Sequence, residues 1–351
     1  MTAWGPVVGE TFWLAALEQP AELTPALRAI LLVWLAVLGG AVGSFLNVVV
    51  YRMPRGRSIL HPGSSCPACN RPIRWYDNVP VLSWFVLGGR CRDCRAAISG
   101  RYPLVEAAVA ALFVLLARGP LFSAEASPGA SAAWGMYVYQ LLLFCLLVCV
   151  LLIDLDDQLV PLKLLAPLLA AGLAAPLVWP QIRPDGSLAG LPSGLDCVGP
   201  IGMLADGLLG AALGAVLAFC SRPSTAAGLA GAGSRRARLA ALLAVGIYLG
   251  GGAAAVAAAA TSLLFLAMQG AAVFTPVVGR IPWTMLLAAV TLGHAVGGGR
   301  ATDSWSAIDR WGASPVVAWS LACGVVLAAS LLTRRITRRH TGRPRATSRG
   351  R

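Results

Sequence analysis

Between Arg28 and Arg52 the chain carries no charged side chain. A helix of about 20 apolar residues crosses the hydrocarbon core of a bilayer, and in lipid the backbone must satisfy its own hydrogen bonds. A run like 29–51 can therefore fold only as a spanning helix or a deeply buried one. Comparable runs recur along the sequence. With 57% hydrophobic residues, 12% charged residues and a mean hydropathy of +0.72, the 351-residue chain is excluded from the soluble globular class. The predicted class is an all-α polytopic membrane protein with about nine transmembrane helices and a small zinc-knuckle cytoplasmic loop domain. The spans are expected near 30–50, 104–116, 136–153, 164–177 and 201–219. A long stretch, 239–273, makes two more, hinged at Gly250–Gly252. The last two lie near 284–296 and 316–332.

Arginine placement orients these spans. The loop 52–101 holds nine arginines against Asp77 and Asp93, and the tail 334–351 holds eight arginines and no acid. Basic loops stay on the cytoplasmic side. The N-terminal segment 1–28 is then external and the tail cytoplasmic, which requires an odd number of spans. The net charge of +13 is accounted for by this topology, so the expected partner is the lipid bilayer and no nucleic acid. Glu10, Glu18 and Glu22 precede the first apolar run where a signal peptide would carry basic residues, so no cleavable leader is expected.

Two Cys-x-x-Cys pairs, Cys66/Cys69 and Cys91/Cys94, are separated by 21 residues inside the basic loop. Each pair offers two thiolates from one tight turn, and two turns complete a tetrahedral zinc site of the closed, structural kind. A reducing cytoplasmic location argues against disulfides. Cys145, Cys149, Cys197, Cys220 and Cys323 are scattered, mostly in apolar runs, and read as small buried hydrophobes.

Acids at a membrane boundary are costly unless solvated, paired or functional. Asp154, Asp156 and Asp157 close the third span, with Asp154 deepest. If the helix continues, Asp154 and Asp157 share a face. The ordinary reading is a solvated helix end. The chemical reading is one half of a carboxylate pair sharing a proton, with one member as base toward water and the other as acid. For the other half the sequence leaves three possibilities: Asp156 or Asp157 locally, Glu106 reaching across from the second span, or no partner. Asp206 falls near the outer end of the fifth span, on the wrong side. Histidine offers no alternative. His61 is a loop residue, His294 reads as packing in the eighth span, and His340 lies in the tail.

These residues resemble the type IV prepilin leader peptidases, membrane aspartic endopeptidases that often also N-methylate their product. The resemblance runs from about residue 39 to 296. GSFLNVVVYRMP is similar to that family's first-span signature. The loop with Cys66, Cys69, Cys91 and Cys94, including IRWYDNVPVLSW and SGRYPLVE, resembles its cysteine-rich cytoplasmic domain. IDLDDQLVP resembles the first catalytic-aspartate motif, which puts Asp154 at the catalytic position. RIPW resembles a weaker proline motif. The resemblance implies a transmembrane peptidase-like domain over 102–297, and an external loop with an additional helix over 298–333. It also implies structural zinc, S-adenosylmethionine if methyl transfer occurs, and prepilin or pseudopilin helices as partners. The setting would be a bacterial inner membrane. Two departures stand out. Leu162 follows Pro161 where the family has a further acid. The second catalytic aspartate, expected in a Gly-x-Gly-Asp motif, is replaced by Ser234 in Gly231-Ala232-Gly233-Ser234.

Overall fold

The computed structural model describes residues 24–61, 63–117, 120–122, 130–179, 182, 200–220, 232–271 and 283–296. Eight α-helices run through them: α1 (Pro25–Arg52), α2 (Leu82–Val86), α3 (Arg101–Ala117), α4 (Ala130–Leu155), α5 (Leu162–Val178), α6 (Pro200–Cys220), α7 (Ala232–Ala271) and α8 (Trp283–Val296). Among the described residues there is no sheet, only isolated antiparallel bridges at Ser65–Pro72 and Arg90–Ala97. By length and composition α1, α4 and α6 suffice to cross a bilayer, while α5 is apolar but shorter. The expected ninth span, the arginine tail, the external loop 298–315, the RIP of RIPW, Cys197, Cys323 and His340 lie outside the described residues.

Why these helices sit where they do is largely a matter of glycine. Helices of similar hydropathy gain little from burying apolar surface against each other in lipid, so close backbone approach has to supply the contact. Gly39 and Gly43 form a small-xxx-small stripe on α1 that faces α3. A Cβ at Gly39 would stand 2.8 Å from the Ala110 Cα, and one at Gly43 2.9 Å from the Glu106 Cα. Asn47 adds a polar tie by donating from Nδ2 to the Tyr102 carbonyl at 3.4 Å. Gly210 and Gly214 on α6 bring that helix onto the α7 backbone in the same way.

A kink falls at Gly250, inside the glycine run where a hinge between two spans is expected. Gly250 (φ 81, ψ 173) breaks the helical geometry of α7, and glycine tolerates that left-handed conformation. Asp206 of α6 lies against this break and is 1% exposed, so it is a buried residue of the helix pair. α4 forms the centre of the bundle. Leu143, Leu146, Val150 and Ile153 are fully buried along it, among α5, α7 and α8.

Candidate functional site

Two sites can be built from the residues upward. The first is the cysteine cluster. The two halves of the loop repeat one backbone design. The Asn70 N–H donates to the Cys66 carbonyl at 2.8 Å, and the Cys66 N–H to the Arg71 carbonyl at 3.0 Å. In the second half the Arg95 N–H donates to the Cys91 carbonyl at 3.0 Å, and the Cys91 N–H to the Ala96 carbonyl at 2.8 Å. The residue after each pair, Asn70 (φ 56) or Arg95 (φ 60), takes the left-handed conformation that closes the turn. Reciprocal ion pairs hold the halves together. Arg92 of the second half bonds both carboxylate oxygens of Asp77 at 2.8 and 2.6 Å. Asp93 of the second half is met by Arg71 at 3.4 Å and Arg74 at 3.7 Å from the first.

The four sulfurs of Cys66, Cys69, Cys91 and Cys94 lie within 4.8 Å of one another, and Cys66 Sγ and Cys94 Sγ are 3.8 Å apart. A tetrahedron with Zn–S bonds of about 2.3 Å has edges of about 3.8 Å, so the donor set and its size fit zinc. Backbone N–H groups of Cys69 and Ala68 aimed at Cys66 bring its thiol down to about 7. Cys94 also receives a backbone bond, from Ala96, but desolvation and the neighbouring sulfurs outweigh it and push this thiol up to about 11. Four sulfurs this close resist full ionisation until a cation joins them. His61 is exposed in the preceding loop and is not part of this group.

The second site surrounds Asp154, in the last turn of α4 and 8% exposed. Its Oδ2 accepts a hydrogen bond from Thr284 Oγ1 at 2.9 Å, and Thr284 is itself 3% exposed at the start of α8. Its Oδ1 is buried and meets no donor among the described residues. Arg238 on α7, also 8% exposed, stands close enough for its charge to interact with the Asp154 carboxylate. Position 234 lies one turn before Arg238 on the same helix. Thr284 and Arg238 carried no motif in the sequence. The available signal was the i,i+4 relation of Arg238 to position 234.

None of the expected local partners reaches Asp154. α4 stops at Leu155, so Asp156 and Asp157 leave the helical face. Asp157 (φ 52) is exposed in the turn, its N–H bonded to the Asp154 carbonyl at 3.0 Å. Asp156 is taken by Arg101, which binds both its carboxylate oxygens and donates to the Leu152 carbonyl at 3.2 Å. Glu106 turns toward the cysteine loop, its Oε2 accepting the Val81 N–H at 2.7 Å. Arg101 thus fastens the end of the α4 acid cluster, and Glu106 fastens the loop.

Residues 37–118 match the bacterial peptidase A24 N-terminal domain. The chain is 39% identical over 184 residues to a prepilin leader peptidase/N-methyltransferase of Myxococcus xanthus, covering 52% of this chain and 45% of that protein. It is 40% identical over 156 residues to a protein of the same description from Aeromonas salmonicida, covering 37% and 50%. With another from Klebsiella pneumoniae it shares 41% over 145 residues, covering 40% and 59%. The chain therefore spans about half the length of the curated relatives it matches. No solved structure matches it.

Proposed function

We propose that the chain, similar over part of its length to prepilin leader peptidase/N-methyltransferases, is a member of their family and acts on prepilin-like precursors as a membrane aspartic endopeptidase. In this reading it lies in a bacterial inner membrane with the cysteine loop and C-terminus cytoplasmic. It cuts the short basic leader of a pilin or pseudopilin precursor just before the apolar helix. Asp154 is one of the two catalytic carboxylates, and its partner is not identified. The observation that carries the reading is the environment of this residue: a buried carboxylate at a helix end, one oxygen held by Thr284 and the other buried with no donor among the described residues. Zinc on Cys66, Cys69, Cys91 and Cys94 would hold the loop together and take no part in the chemistry. Methylation of the new N-terminus would require S-adenosylmethionine, for which the described residues mark no place.

The test is cleavage of a co-expressed prepilin in membrane extracts. Asp154→Asn should abolish cleavage by several orders of magnitude, since members of an acid/base unit act together. Unchanged cleavage would remove Asp154 from the site.

A second reading, binding or assembly without hydrolysis, is favoured by Ser234 together with the absence of a carboxylate on Asp154 among the described residues. Serine cannot share a proton as a second acid would. Under this reading wild type is silent and Ser234→Asp switches cleavage on. Cleavage by wild type rules it out.

A further inference from the structure

Helix α2 exposes three large apolar side chains on one stripe. Leu82, Phe85 and Val86, at i, i+3 and i+4, are 63%, 66% and 79% exposed. The opposite side is committed to the loop. Ser83 is buried, accepting the Val79 N–H at 2.8 Å and donating to the Tyr76 carbonyl at 3.2 Å, and Trp84 Nε1 donates to the Ile98 carbonyl at 3.0 Å. The stripe is therefore held outward by a structured scaffold.

Its depth is bounded by two anchors, of which the one on α3 is the shallower. The Val81 N–H is bonded to Glu106, five residues into α3 from Arg101, which is about 7.5 Å along the helix axis. Pro80 packs on Gly40, where an added Cβ would stand 3.3 Å from the Pro80 Cβ. Gly40 is twelve residues before Arg52 on α1, about 18 Å along the axis. Arg101 and Arg52 are the first charges at this end of either helix. Val81 (φ 62) is a β-branched residue in a conformation it avoids, so the chain is pinned at this level and not resting there loosely. The next residue begins α2. With only five residues, about 7.5 Å, α2 cannot climb far past the level of Arg101 before Gly88 (φ 59) and Gly89 (φ 65) turn the chain back to Arg90 and the second cysteine pair.

We propose that α2 is a re-entrant interfacial element whose Leu82–Phe85–Val86 stripe is covered by lipid acyl chains, in the leaflet that the cysteine loop faces. Basic residues rim the segment in the loop, with nine arginines against two acids over 52–101. That balance suits an anionic headgroup layer. The stripe lies with α1 and α3, to which it is tied through Pro80 on Gly40 and Val81 on Glu106. The proposal does not depend on hydrolysis.

The experiment places p-benzoylphenylalanine at position 85, and separately at 86, in the full-length protein in native membranes. Both side chains project outward and need no room in the fold. After irradiation, mass spectrometry should find a phospholipid mass added to the peptide carrying the label at both positions. The same labels after reconstitution into phosphatidylcholine/phosphatidylglycerol vesicles should give the same adduct. Cross-linking to a protein, or no adduct at either position, would overturn the assignment to lipid.

Discussion

Thr284→Val replaces a hydroxyl with a methyl of nearly the same shape, and so isolates the bond to Asp154. The donor and acceptor are 2.9 Å apart, with Thr284 3% and Asp154 8% exposed. A hydrogen bond to a charged group in such a place contributes about 1.5–3 kcal/mol. Since Asp154 Oδ1 already meets no described donor, the substitution leaves both oxygens without one. If that energy orients the carboxylate during reaction, cleavage of a co-expressed prepilin should fall by about 10- to 150-fold. Thr284→Ser keeps the donor and should remain within about threefold of wild type. Thermal melting of both variants in detergent separates a misplaced carboxylate from a misfolded bundle. Valine as active as threonine, or serine as impaired as valine, would refute the argument. The second result would mean that the lost methyl matters and the bond does not.

Gly43→Ala puts a Cβ 2.9 Å from the Glu106 Cα and 3.1 Å from the Val109 Cβ, so it should cost about 1–3 kcal/mol and lower the melting temperature, whereas Gly63→Ala meets nothing within 4 Å and should be neutral. Metal analysis of purified protein should give one zinc per chain, and Cys66→Ser should lose it and expose the loop 52–101 to protease. The pair with Arg92 holds the Asp77 carboxyl below the usual carboxylate range. Its contribution is therefore complete above about pH 4, the unfolded value, and is lost as pH falls further through the folded one. Asp77→Asn should raise protease sensitivity of the loop at neutral pH and remove that part of its acid dependence; an unchanged digestion pattern would count against the ion pair.

How much of this was legible in the sequence depended on how local each signal was. The cysteine set could be read because zinc ligation is a matter of short spacing and tight turns, and the structure brings all four sulfurs together. The kink at Gly250 could be read because three consecutive glycines in an overlong apolar run leave the helix weakest there. The fate of Glu106 could not. An acid in an apolar helix announces a need for a partner without naming it, and the partner is a backbone N–H 25 residues away, on a strained valine. Asp157 was misplaced because helical periodicity was carried past Leu155, where the helix ends. Thr284 is 130 residues from Asp154 in sequence and looks like any polar residue in a packed membrane helix.

Arg238 is the most instructive of these. In the sequence it belongs to a run of arginines beside a span, which topology alone explains. In the fold it is drawn under the surface beside a buried acid, together with Ala237, Ala240 and Ala241, all fully or nearly fully buried. Its nearness to Asp154 changes what a restored acid would meet. A proton-sharing pair works because two carboxylates must face each other and cannot both stay charged. On α7 the turn after position 234 instead carries Arg238, whose charge is near enough to interact with the Asp154 carboxylate. If position 234 stands where the second acid is expected, as the resemblance implies, Ser234→Asp would put the new carboxylate one helical turn from this guanidinium, which would favour its charged form. Full recovery of a two-acid site is then expected only when Ser234→Asp is combined with Arg238→Leu. If Ser234→Asp alone cleaves as fast as the double variant, Arg238 has no hold on the chemistry at Asp154.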